Sequence, residues 1–256
     1  MKVFKYHPPP GRLLGIACLC AALVLGGANM AQAGPLGAAN IMVLDDGVAV
    51  GGLSIMGGGV AGDWTLTVSG TSKDFNFVAF LGASNQPGTA TNAQLQLTAF
   101  NVMDKATDGV THTLSIVFSD VGFTKPPGQI ATLTSSGSIT YTDTPAGNTA
   151  TLRSWADPGN AMFGKTVATG AQTATSDGNN PDSEAFAPDP ATKGFTNSSP
   201  FSITQELDIA LGQTDAKAQA SASSVVTAIP EPATMTLLGI GLAGMAGYGW
   251  RKRRRS

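Results

Sequence analysis

Apolar and polar side chains alternate along much of this 256-residue chain. Trp64, Leu66 and Val68 take turns with Thr65, Thr67 and Ser69. A period of two puts one set on each face of a strand. Phe201, Ile203, Leu207, Ile209 and Leu211 do the same against Ser202, Thr204, Glu206, Asp208 and Ala210, with Gln205 breaking the apolar row. Similar runs predict strands at 75–81, 94–103, 111–119, 138–142 and 149–155. Turn formers punctuate them: Asp45-Asp46-Gly47, Asp108-Gly109, Pro126-Pro127-Gly128 and Pro145-Ala146-Gly147. No segment between 34 and 229 carries a helical stripe of three turns. The pattern predicts an all-β fold, an antiparallel β-sandwich of jelly-roll or Ig-like type.

Both ends of the chain depart from this period. Lys2, Lys5 and Arg12 precede an apolar stretch from Leu13 to Ala28, and Ala31-Gln32-Ala33 supplies the small residues of a signal-peptidase site. Cleavage after Ala33 removes Cys18 and Cys20, leaving a mature chain with no disulfide. At the other end stand Pro230-Glu231-Pro232, eighteen uncharged residues from Ala233 to Trp250, and the cations Arg251, Lys252, Arg253, Arg254 and Arg255. Eighteen residues as a helix span roughly 27 Å, close to the roughly 30 Å hydrocarbon core of a bilayer. The basic cluster holds the tail in the cytoplasm by the positive-inside rule, so the residues before it are exported.

A signal peptide combined with Pro230-Glu231-Pro232, a glycine-rich apolar helix and a terminal basic cluster resembles the PEP-CTERM class of bacterial surface proteins. The resemblance implies a sorting signal read by an exosortase in a Gram-negative bacterium that makes exopolysaccharide. It also implies removal of the helix and delivery from the inner membrane to the cell surface or matrix. Many such proteins carry β-sandwich bodies, and Ser199-Pro200-Phe201-Ser202-Ile203-Thr204-Gln205 is similar to their last long strand. The expected organisation is a signal peptide at 1–33, a β-sandwich body at 34–214, an Ala/Ser-rich tether at 215–229, and a sorting signal at 230–256. That signal includes a transmembrane helix over 233–250 and a basic tail over 251–255.

Charge narrows the partners. Between residues 34 and 229 seven cations remain against sixteen acids, a net charge of −9, whereas the whole chain carries −2. An acidic body repels nucleic acid and anionic lipid, so neither is expected as a partner of the mature protein. The expected partners are signal peptidase, exosortase, the inner membrane during sorting, and exopolysaccharide.

Candidate chemistry is sparse. Thr169 to Thr196 reads as a long surface loop, in which Asp177, Asn179, Asp182 and Glu184 offer oxygen ligands of the kind calcium takes. Their spacing misses the EF-hand pattern and Pro181 interrupts it, so a solvated acidic turn is the preferred reading, with no metal and no cofactor. Glu206 and Asp208 sit two apart on the polar face of a strand, about 7 Å from each other, as glycosidase carboxylates can be. Ordinary strand residues look the same. His112 is the one histidine of the mature body and reads as a surface residue among threonines, without the partners of a catalytic triad or a zinc site. Gly51-Gly52 and Gly57-Gly58-Gly59 read as flexible turns. Trp64 reads as core, and Trp155, beside Arg153 and Asp157, as a possible stacking surface for a sugar. These features predict a non-enzymatic exported protein of the cell surface or an exopolysaccharide matrix, in a biofilm or floc. The alternative is a carbohydrate-binding module or polysaccharide-acting enzyme delivered by the same route.

Overall fold

The computed structural model describes residues 39–60, 63–126, 130–229 and 240–241. The signal helix with Ala31 and Ala33, the motif Pro230-Glu231-Pro232, the apolar helix except Ile240 and Gly241, and the cluster Arg251 to Arg255 lie outside them. Among the described residues no helix is long and apolar enough to cross a membrane.

The body is all-β, with two antiparallel sheets. One, with seven strands, contains β1 (Asn40–Asp45), β2 (Val48–Ala49), β7 (His112–Phe123), β9 (Thr149–Asp157), β10 (Val167–Ala168), β11 (Gln172–Thr175) and β14 (Phe201–Leu211). The other, with eight, contains β3 (Ser54–Val60), β4 (Asp63–Thr71), β5 (Phe75–Ser84), β6 (Asn92–Asp104), β8 (Ile130–Thr142), β12 (Asp182–Ala185), β13 (Ala191–Thr196) and β15 (Lys217–Ala228). The first runs in the order β10-β9-β14-β7-β1-β2, with β11 also on β9, and the second β12-β8-β15-β6-β5-β4-β3, with β13 also on β8. The chain crosses between sheets at β2–β3, at every step from β6 to β9, and again at β11–β12, β13–β14 and β14–β15.

Alternation explains the layering. Leu114, Ile116 and Phe118 of β7 and Leu207, Ile209 and Leu211 of β14 join Leu95 and Leu97 of β6 and Leu133, Ile139 and Tyr141 of β8 in one buried cluster. The two sheets therefore face each other across a shared core. Gln205, which breaks the apolar row of β14, points the same way: its Nε2 donates to Ser224 Oγ of the opposite sheet at 2.9 Å. Ser154 Oγ of β9 reaches Ser224 Oγ at 2.6 Å and donates to Ser135 Oγ at 2.9 Å. A polar group inside a core is tolerated when it is bonded, and these bonds fix how one sheet sits over the other.

Three expectations need correction. The Ala/Ser-rich tether is instead mostly β15, a twelve-residue strand paired with β6 on one side and β8 on the other. Ala218, Ala220, Ala222, Ser224 and Val226 are buried and alternate with more exposed neighbours, so small side chains hide an ordinary strand period. The fit is close: a Cβ added at Gly137 of β8 would lie 2.4 Å from the Ser221 carbonyl oxygen. Gly57-Gly58-Gly59 is not a turn but lies in edge strand β3, paired with β4. The long loop over 169–196 contains the short strands β11, β12 and β13, which add to β9 and β8.

Candidate functional site

Two clusters of charged side chains stand on this frame, one on the outward face of the seven-stranded sheet and one at the strand ends. The first follows directly from alternation. Ala150, Leu152 and Ala156 of β9 enter the core, so Arg153 and Trp155 project from the opposite face. Glu206 and Asp208 of β14 project beside them, with Arg153 opposite Glu206 and Trp155 opposite Thr204 in the ladder. Arg153 Nη1 donates to Asp208 Oδ2 at 3.1 Å and lies 3.6 Å from Glu206 Oε1. Lys165 bonds Glu206 through Nζ, and that same ammonium sits 4.4 Å from the centroid of the Trp155 ring. Trp155 retains 9% of its exposure. The ring face beneath Lys165 is thus covered, and each carboxylate of the pair has a cation beside it. Burial, the largest cause, pushes the Asp208 carboxyl up from its ordinary range, against a hydrogen bond from Ser115.

The loop that brings Lys165 there is tied to Asp157. Its Oδ2 accepts the Ala161 N–H at 2.8 Å, and its Oδ1 accepts the Gly159 N–H at 3.1 Å and the Thr166 hydroxyl at 2.6 Å. Burial would raise the Asp157 pKa, but these three donors outweigh it and hold the carboxyl below its ordinary 3.8. Any Cβ at Gly164 would meet Asp157 Oδ2 at 2.4 Å, which explains glycine at that position.

The second cluster is assembled from turns. Asp45 closes β1, Asp46 follows it, Asp74 precedes β5, Asp104 closes β6, and His112 opens β7. His112 is a correction to the surface reading, since only 5% of it is exposed. Its Nδ1 lies 2.7 Å from Asp46 Oδ2 and 3.5 Å from Asp74 Oδ2, while Nε2 lies 3.1 Å from Asp108 Oδ2. The hydrogen bond to Asp46 is the largest cause of an imidazole pKa pushed up to about 9. The same bond lowers Asp46, whereas burial raises Asp104. Asp45 Oδ2 accepts the Asp74 N–H at 2.9 Å, but Asp45 Oδ1 and Asp104 Oδ2 are buried without a hydrogen-bond donor. A cleft of about 420 Å³ opens beside the cluster, lined by Asp45, Asp46, Lys73 and Asp74 among others. The turn signal Asp45-Asp46-Gly47 marks a strand end carrying carboxylates, yet nothing in the local pattern brings Asp74 and His112 to it.

The remaining sequence candidates do not converge on either cluster. Asp177 Oδ1 and Oδ2 accept from the backbone and side-chain amides of Asn179, and Asp182 Oδ2 accepts the Asp177 N–H, so these oxygens serve their own turn. Glu184 stands on β12 opposite Ile139. Among the described residues, the one group of three acids or histidines whose ligand atoms lie within 4.8 Å of one another is Asp46, Asp74 and His112. Trp64 belongs to β4, and its side chain lies outside the described part.

At the C-terminal end, the Ile229 N–H still donates to the Ile130 carbonyl at 3.0 Å. From residue 228 to residue 255 the sequence matches the family model of the PEP-CTERM protein-sorting motif. This chain ends in a PEP-CTERM sorting signal. A PEP-CTERM motif marks an exported protein, sorted through the membrane of a Gram-negative bacterium and processed by an exosortase. No curated protein matches the chain. Among solved structures it is similar to an isomalto-dextranase of Arthrobacter globiformis T6 complexed with panose, at 9% identity and a TM-score of 0.28, over 66% of this chain and 36% of that one. It is also similar to the family 11 carbohydrate-binding module of a cellulosomal cellulase of Clostridium thermocellum, at 13% identity and a TM-score of 0.17, over 69% of this chain and 96% of that one. Neither likeness is close enough to carry function from those proteins to this chain.

Proposed function

We propose that the body is a jelly-roll-type β-sandwich serving as a non-enzymatic component of the cell surface or exopolysaccharide matrix. The observation that carries the reading is the sorting motif at 228–255, joined without a spacer to a folded, acidic β body. The expected signal peptide takes the chain across the inner membrane, and the apolar segment 233–250 holds it there for the exosortase. Strands β6 to β9 and β13 to β15 of the body alternate between two layers around one core, which supports a double-sheet jelly roll. Lys165 and Arg153 neutralise Glu206 and Asp208, which favours a structural over a hydrolytic role for that pair.

The experiment is mass spectrometry of surface and matrix fractions, compared with a strain expressing residues 1–229. Processed full chain should appear in those fractions without Arg251 to Arg255, and the truncation should not reach them in the same distribution. Intact basic tail in surface material would overturn the reading.

A second reading, a carbohydrate-binding module, rests on Trp155 standing on an outward face among Arg153, Glu206 and Asp208, and it requires Lys165 to move off a ring that is now 9% exposed. Saturable binding of the organism's own polysaccharide, abolished by Trp155→Ala with the fold intact, would favour it. Absence of binding would leave the structural role alone.

A further inference from the structure

We propose that Asp46, Asp74 and His112 form a site for one divalent first-row transition ion of the Zn²⁺ type. The three side chains come from two turns and the first residue of β7, and their ligand atoms already lie within 4.8 Å of one another. Around a tetrahedral ion with ligands at about 2.0–2.1 Å, neighbouring donor atoms stand about 3.3–3.4 Å apart. His112 Nδ1 is 3.5 Å from Asp74 Oδ2, close to that spacing, and 2.7 Å from Asp46 Oδ2, so an ion entering in place of the Nδ1 proton needs the exposed Asp46 carboxylate to draw back by roughly half an ångström or more.

The surroundings also suit a metal ligand. His112 Nε2 lies 3.2 and 3.1 Å from the two oxygens of Asp108, a carboxylate placed to keep the proton on Nε2 when an ion takes the place of the proton that Nδ1 shares with Asp46. Asp46 Oδ1 is fixed by the Thr113 N–H at 2.8 Å, leaving Oδ2 for the centre. The cleft lined by Asp46 and Asp74 gives an ion a way in and room for a water as fourth ligand.

The charge around the three ligands favours a cation. Asp45 is 7% exposed, lines the same cleft and bonds the Asp74 N–H with Oδ2, but its buried Oδ1 meets no donor. A buried carboxylate oxygen without a partner is costly, and the local charge leaves it unrelieved. Five carboxylates, Asp45, Asp46, Asp74, Asp104 and Asp108, stand against His112 and Lys73, whose ammonium is 3.1 Å from Asp74 Oδ2 on a side chain 79% exposed. A second positive charge at the centre relieves that excess. One imidazole nitrogen with two carboxylates favours a borderline ion over Ca²⁺, which takes six to eight oxygens.

The test uses the purified full chain, stripped with chelator and then titrated separately with Zn²⁺ and Ca²⁺ while thermal unfolding and stoichiometry are followed. With free Zn²⁺ about 100-fold above its Kd, Tm should rise by about 5–10 °C, with one ion per chain. Asp46→Asn should abolish the rise while keeping the metal-free Tm within a few degrees, because the Asp46 side chain is 46% exposed. His112→Gln should abolish it too; should that variant fail to fold, Asp46→Asn and loss of the visible absorption of a Co²⁺-loaded sample decide the matter. An unchanged Tm with Zn²⁺, a rise retained in Asp46→Asn, or a rise with Ca²⁺ but not Zn²⁺ would overturn the proposal.

Discussion

The outward face of the seven-stranded sheet and the aspartate-rich strand ends handle charge in opposite ways. On the face, Arg153 and Lys165 match Glu206 and Asp208 one for one, across adjacent strands and from a tied loop. At the ends, carboxylates outnumber cations, and two buried oxygens go without a donor. Cross-strand pairing in a regular ladder is self-balancing because register puts each side chain opposite a fixed neighbour. Turns impose no such pairing, so charge of one sign can accumulate there.

Removing the tie that completes the balanced face should cost most. Asp157→Ala takes a buried acceptor from three donors and is expected to lower stability by about 2–4 kcal/mol, measured by denaturant unfolding. Loss of much less than this would mean that the loop holds Lys165 over Trp155 without that carboxylate. The acid limb of the stability curve gives the next effect. A carboxyl with its folded pKa held below the unfolded 3.8 contributes stability above that pH, lost as pH falls through the lower folded value. Wild type should therefore lose stability more steeply than Asp157→Asn below about pH 4.

Smaller effects distinguish the two regions by sign. Arg153→Ala leaves Asp208 and Glu206 facing each other with one cation, and should destabilise by about 1 kcal/mol, with added salt reducing the loss. Asp104→Asn removes one unbalanced charge at the strand ends. Burial already raises the Asp104 carboxyl, and an amide can still accept the Ala106 N–H through Oδ1. At neutral pH without metal this variant should be neutral or more stable by up to about 1 kcal/mol. A loss of stability in Asp104→Asn equal to that of Arg153→Ala would erase the contrast.

The same contrast explains what was legible in the sequence. Alternation located β4, β6, β7, β9 and β14, and with them Trp155, Glu206 and Asp208 on one polar face, because a strand's period fixes which way each residue points. It passed over β15, where the buried positions are the small Ala218, Ala220 and Ala222 and the Ala/Ser-rich composition reads as a flexible tether although the residues alternate. It also passed over the inward turn of Gln205, whose partner Ser224 is supplied by that same hidden strand. His112 looked solvated because its neighbours are threonines. Its partners Asp46 and Asp74 stand 66 and 38 positions away, and only the folded sheets bring them together.

The junction at Ile229 has a mechanical consequence. The tail leaves a strand bonded along its length to β6 on one side and β8 on the other, with the last backbone bond at residue 229 itself. Tension arriving through the tail therefore runs along the strand axis and strains both rows of bonds in parallel, in shear, instead of unzipping them singly. A protein held by its C-terminal end to a wall or a polymer would resist being pulled apart at the point where it is held.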